Sequence, residues 1–311
     1  MKRKGLVKKA VLPALVALVC SVIALTSVSY AWFTIGNKAQ VDDIQMNVQA
    51  ADGLQVSATG NANDFKSILN TTELKKEGTS NTFPTGSVVP VSTVATVTAD
   101  GKLTFYKGTI TNAVLSATAD TANYICFDIY VQASNAKTLY LETTSTVLGS
   151  TTGKETHLAS RVAFIDLGSA ATASGAQGLT GAATNPVVIW EPNSTTRSEA
   201  YQNAYGTAAN NTKMDYEGIA SVSGTTPTLA AVTTSDNTSN LAICSLEAGY
   251  NRIRVYVWLE GQDVDCLNEI SGGGFIVNLD LKYGGRIIRP HLWCSPTNNR
   301  YCKIKTHTSE F

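Results

Sequence analysis

The chain has 311 residues with no net charge, and only 15% of it is Asp, Glu, Lys or Arg, against about 25% in an ordinary soluble domain. The balance hides two basic ends, residues 1–9 and 282–311, each carrying a net +5, so the body between them is acidic. An acidic body argues against nucleic-acid binding, which needs a basic face, and suits a solvated extracellular surface.

The first nine residues carry Lys2, Arg3, Lys4, Lys8 and Lys9, and Ala10 to Asn37 contain no charge. Basic, then apolar, then small residues is the order of a secretion signal, with cleavage expected after Ala31. The competing reading is an uncleaved N-terminal hydrophobic helix acting as a membrane anchor, since about 20 apolar residues span a bilayer. Either way the positive-inside rule puts the body outside the cell. Cys20 sits in the middle of the apolar run, where a lipoprotein cysteine does not lie.

Beyond this segment, apolar and polar residues alternate with the period of half-buried strands. Strands are expected at Val41–Val48, Leu54–Ala58, Val88–Val97, Leu103–Tyr106, Tyr124–Val131, Thr138–Leu148, Arg161–Leu167, Val187–Trp190, Leu241–Leu246, Asn251–Glu260 and Phe275–Lys282. In the clearest, Ile253, Val255, Val257 and Leu259 make one face while Arg252, Arg254, Tyr256, Trp258 and Glu260 make the other. Asn63–Glu77 reads as a helix, with Phe65, Ile68 and Leu69 on one face. Gly168–Asn185 and Asn193–Ser239 read as long polar surface loops. Gly272–Gly274 offers a turn with positive φ before the last strand. The pattern implies an all-β fold, a β-sandwich or jelly roll, over residues 32–283. Gly284–Phe311 shows no alternation and reads as an irregular basic tail containing Cys294 and Cys302.

Ser29-Tyr-Ala-Trp-Phe-Thr34 closes the apolar run and resembles the end of the special signal peptides of TasA/camelysin-type proteins. Ala51–Ala58 and Val255–Cys266 look like segments of uncharacterised exported proteins of Gram-positive bacteria with such signals. The resemblance implies a jelly roll, secretion by a dedicated signal peptidase, and assembly into matrix fibres. In such fibres an N-terminal strand, here Trp32–Val48, completes the sheet of the next subunit. Trp32, the long Thr/Ser loops and the basic tail depart from the family pattern.

Catalytic residues, cofactors and metals are not expected. Camelysin-like proteins are described as metallopeptidases, yet H-E-x-x-H is absent and Glu155-Thr-His157 supplies one histidine, read as a loop residue. Glu260, Asp263, Asp265 and Glu269 offer oxygens to a calcium ion, but their spacing fits no calcium loop, so they read as a solvated connection. Cys126, Cys244 and Cys266 admit a Cys244–Cys266 or Cys126–Cys266 bridge, or buried free thiols. Asn70, Asn193, Asn210 and Asn237 match N-x-[ST] and mark surface positions only. The function expected is a non-enzymatic structural protein of the bacterial surface or matrix, with itself or other surface proteins as partners. The alternative is a membrane-anchored adhesin or carbohydrate-binding module whose platform is Trp190, Tyr256 and Trp258.

Overall fold

A computed structural model describes residues 44–50, 54–76, 79–111, 114–194, 218–229, 232–266 and 272–284, isolated positions between 196 and 202, and two short strands in the C-terminal segment. The signal or anchor segment therefore lies outside the described residues. Among those described, no helix is long and apolar enough to cross a membrane.

The chain is all-β. One sheet contains β1 (Ile44–Ala50), β3 (Ile68–Asn70), β8 (Lys137–Leu141), β9 (Thr146–Gly149), β14 (Leu241–Leu246) and β16 (Phe275–Gly284), in the order β14-β8-β16-β1-β3 with β9 also on β16. The second contains β2 (Gln55–Ser57), β7 (Ile125–Ala133), β10 (Ser160–Ala170), β11 (Val187–Trp190) and β15 (Gly249–Leu259), in the order β11-β10-β15-β7-β2. Their facing sides form one core. Phe275, Val277, Leu279 and Leu281 from β16 meet Ile253, Val255, Val257 and Leu259 from β15 in a single cluster of buried side chains. These are the residues that alternation assigns to the inward faces.

Sheet two is covered on its other side as well. A meander of β4 (Ser92–Val97), β5 (Leu103–Thr111) and β6 (Val114–Asp120) lies over it, with the hairpin β12 (Ile219–Ser223) and β13 (Thr226–Leu229) against the meander. Val97, Leu103 and Phe105 pack there on Ala163, Ile165, Tyr256 and Trp258, giving a second core. Both faces of β15 are thus buried, and its alternation separates two cores rather than core from water.

The structure corrects several expectations. Asn63–Glu77 is not a helix. Ile68–Asn70 pairs with β1, and only α1 (Thr71–Leu74) is helical. Asn70 ends the strand and caps the helix: its Oδ1 accepts from the Glu73 amide, and the Glu73 carboxylate accepts from the Asn70 amide. This capping box starts the helix at Thr71, eight residues later than the apolar spacing implied. Thr138–Leu148 breaks into β8 and β9, because Ser145 turns the chain back onto Glu142. The strand expected from Val88 begins at Ser92, beyond Pro90, which has no amide to donate. In the C-terminal segment Leu292–Trp293 (β17) pairs with Lys303–Ile304 (β18).

The Gly/Ala/Ser tract after β10 lies at the surface as expected, with many of its residues exposed, but it is docked onto its neighbours rather than loose. It contains α2 (Ala173–Gln177), capped by Thr172, with Ala176 fully buried. The β4–β5 hairpin lands on it through Gly101, whose φ is +70°. A Cβ on Gly101 would lie 2.6 Å from the Thr180 carbonyl oxygen and 3.1 Å from the Gly181 Cα. Gly101→Ala is expected to cost about 2–3 kcal/mol, from the left-handed φ and the overpacking together. Urea denaturation checks this, with Gly153→Ala as control, a left-handed glycine with open space around it.

Candidate functional site

The platform reading fails on burial. Tyr256 and Trp258 are 2% and 1% exposed, and Trp190 is fully buried. The first two lie beneath the meander, where Phe105 sits 4.2 Å from Tyr124, 5.5 Å from Tyr256 and 5.3 Å from Trp258, centroid to centroid. Trp190 points into the main core, and its Nε1 donates to Asn237 Oδ1 at 3.2 Å. A face shared with arginines hints at exposure but equally admits packing against a second sheet, the favoured expectation, and the burial of that face from Arg252 to Glu260 agrees with the latter.

The acidic cluster after β15 is not a solvated connection either. Glu260, Asp263 and Asp265 are all fully buried, while Glu269 lies outside the described residues. Asp263 pairs with Arg161 at 2.7 Å, and Arg161 also reaches Glu191 at 3.2 Å. Asp265 accepts the Ser198 amide at 2.7 Å. Glu260 accepts from the Ser92 hydroxyl, from Trp258 Nε1 at 3.0 Å and from the Gln262 amide at 3.0 Å. Burial pushes its carboxyl up to about 8. Among the described residues no group of His, Cys, Asp and Glu is arranged to hold a metal.

His157 lies half-buried in the short 3-10 turn Thr156–Ala159, where burial lowers its pKa. Cys126, Cys244 and Cys266 are free thiols. Cys126 faces the second core, Cys244 lies on β14 of the first sheet, and Cys266 follows β15. Burial raises the pKa of each, that of Cys126 to about 11, so they behave as small apolar residues. Gly272 has a φ of +79° and serves the turn before β16 as expected. Cys294 and Cys302 lie outside the described residues.

Among the described residues, two places are candidates for contact with another molecule. The first is the slot of β1. This strand runs parallel to β16 over seven positions, from Ile44↔Phe275 to Ala50↔Leu281, the one parallel pairing between described strands. On its other side only Asn47–Gln49 pair with β3. The second is a cleft of about 260 Å³ at the β2–β3 end. Thr59, Asp64, Phe65, Lys66, Glu73 and Lys76 line it. Asp64 Oδ2 accepts from Thr59 Oγ1 at 2.6 Å and Asn61 Nδ2 at 3.2 Å. These bonds hold its carboxyl below the usual range. Lys66 pairs with Glu73, and Lys76 lies 3.9 Å from Asp64. Sequence reading missed the cleft because it assigned these residues to one helix. The signal was Asn70-Thr-Thr-Glu73, a capping box that ends any helix before it.

Comparison with protein-family models, with curated proteins and with solved structures finds no match to this chain.

Proposed function

We propose that this chain is an exported, non-enzymatic structural protein of a Gram-positive cell surface or extracellular matrix, and that its copies join by donating the N-terminal strand. Export rests on the basic, apolar and small residues of the first 31 positions. The non-enzymatic reading rests on where the carboxylates lie: Glu260, Asp263 and Asp265 are buried under another layer and occupied by hydrogen bonds or an arginine, beyond the reach of a substrate.

The observation that carries strand donation is the placement of β1. Lifting β1 out of the first sheet and β2 off the edge of the second leaves β3-β16-β8-β14 facing β7-β15-β10-β11. Every pairing that remains is antiparallel, β3 and β16 run antiparallel to each other on either side of the slot, and the order is that of two interlocked Greek keys, which supports a jelly roll. In this reading β1 is an added strand, wedged parallel between the first and last strands of the roll. Its main-chain bonds to β16 depend on no particular side chain, so the same strand from another copy fits the slot equally well.

The purified mature chain is expected to form fibres, and deletion of residues 32–50 to abolish them. A synthetic peptide of residues 41–50 should bind the truncated chain and raise its Tm, because it refills the slot. Fibre growth at the normal rate by the truncated chain would falsify strand donation.

A further inference from the structure

A cleft lies between β2 and α1. We propose that it binds one or two sugar rings of a neutral oligosaccharide, seated on Phe65. Three observations converge on this class.

The first is charge. The cleft is lined by Lys66 and Lys76 and by Asp64 and Glu73, so its four charges cancel. The lysines are matched by carboxylates at close range. A phosphate or nucleic acid would meet two carboxylates for every two ammonium groups, and a metal cation the reverse. A neutral polyol is attracted by both kinds of group, since each hydroxyl donates one hydrogen bond and accepts others.

The second is shape and surface. Phe65 is half-buried, and its ring is backed by Tyr250 at 5.4 Å and 60°. The apolar C–H face of a pyranose covers such a ring, burying apolar surface without losing its hydroxyl bonds. The volume of about 260 Å³ lies just below the range of roughly 300–1,000 Å³ typical of pockets for drug-sized ligands, which sets the part of the sugar held inside at one or two rings.

The third is preorganisation. All the hydrogen bonds that position Asp64 fall on Oδ2, from Thr59 and Asn61. Asn61 is itself fixed by Gln177 Nε2, at 3.0 Å on its Oδ1. Glu73 is held by the Asn70 amide as well as by Lys66. The Asp64 carboxylate is therefore held in place with Oδ1 free of those bonds, and Glu73 is held likewise, which lowers the cost of ordering them around a ligand.

Titration calorimetry of the mature chain with cellotriose, maltotriose, a galactose trisaccharide and chitotriose tests the proposal, with inorganic phosphate as comparison. At least one trisaccharide should bind one-to-one and phosphate should not. Asp64→Asn and Phe65→Ala should each weaken binding by about ten- to a hundredfold, the effect of losing a hydrogen bond to a charged group or a stacking face. Where Phe65→Ala lowers Tm through its contact with Tyr250, Asp64→Asn decides. Absence of binding by every trisaccharide, tighter binding of phosphate, or unchanged affinity in Asp64→Asn would overturn it. Fibre growth by the same variants should stay normal, so this proposal and strand donation fail separately.

Discussion

Asp128→Ala is expected to destabilise the fold by about 3–5 kcal/mol, the cost of stripping one partner from a buried ion cluster. Asp128 is 2% exposed and serves two arginines at once. Its Oδ1 accepts from Arg254 Nε at 2.8 Å, and its Oδ2 from Arg252 Nε at 3.0 Å and an Arg254 terminal nitrogen at 3.1 Å. One carboxylate faces two guanidinium groups, so the excess positive charge is taken up by backbone carbonyls. Arg252 donates to the Gln177 and Leu179 oxygens at 2.6 Å each, and Arg254 to Gly101 at 3.3 Å. Removing the carboxylate leaves both cations buried and also loosens what they clasp, the α2 tract and the β4–β5 hairpin tip. Urea denaturation should show the loss, and hydrogen exchange should show it concentrated at residues 168–185. A loss below about 1 kcal/mol, the size of an exposed pair, would show that water reaches the cluster.

The acid limb of the stability curve carries the same sign. Burial alone would raise the Asp128 carboxyl, but Arg254 and Arg252 together hold it below its ordinary value. Its contribution is therefore present above the usual carboxylate range and lost as pH falls through the lower, folded value. Asp128→Ala should remove that part of the acid sensitivity.

How much of this was legible in the sequence depends on the layer. The faces between the two large sheets were readable, because Ile253, Val255, Val257 and Leu259 alternate against polar neighbours, as do Phe275, Val277, Leu279 and Leu281. The third layer was not. Arg252, Arg254, Tyr256, Trp258 and Glu260 form a polar face that admits water or a covering sheet, and although packing under a sheet is the favoured reading for the two aromatics, no local signal says that Asp128, 124 residues before Arg252, pairs with the arginines beneath it. For the same reason Glu260, Asp263 and Asp265 read as a wet loop although Arg161 and the Ser198 amide bury them. Hairpin β12–β13 was lost in a Thr/Ser-rich stretch whose apolar anchors, Ile219 and Val222, are too few to show a period. The parallel register of β1 is a fact of topology, and no residue in Ile44–Ala50 announces its direction.

Glu260 gives the second large effect, with the opposite sign to Asp128. It is fully buried beside Ser92 and Trp258, and burial raises its carboxyl to about 8, against about 4.3 in an unfolded chain. An acid whose folded pKa is raised holds its proton in the native state while the unfolded chain has released it. Its contribution is complete below about pH 4 and is lost as pH rises toward 8, by up to about 1.4 kcal/mol per pH unit. The wild type should therefore lose stability between about pH 5 and 8, where most folded proteins are near their maximum. Glu260→Gln keeps the shape and the acceptor oxygen for Trp258 Nε1 but cannot ionise. It should match the wild type near pH 5, exceed it by several kcal/mol near pH 8, and flatten the curve between. Denaturation midpoints at half-unit pH steps make the comparison, and parallel curves for the two proteins would mean that Glu260 stays ionised in the fold. Should the curves diverge as expected, the contact between β4 and the end of β15 is tightest in mildly acid surroundings, because there the Ser92 hydroxyl and the Trp258 indole meet a neutral carboxyl rather than a buried charge.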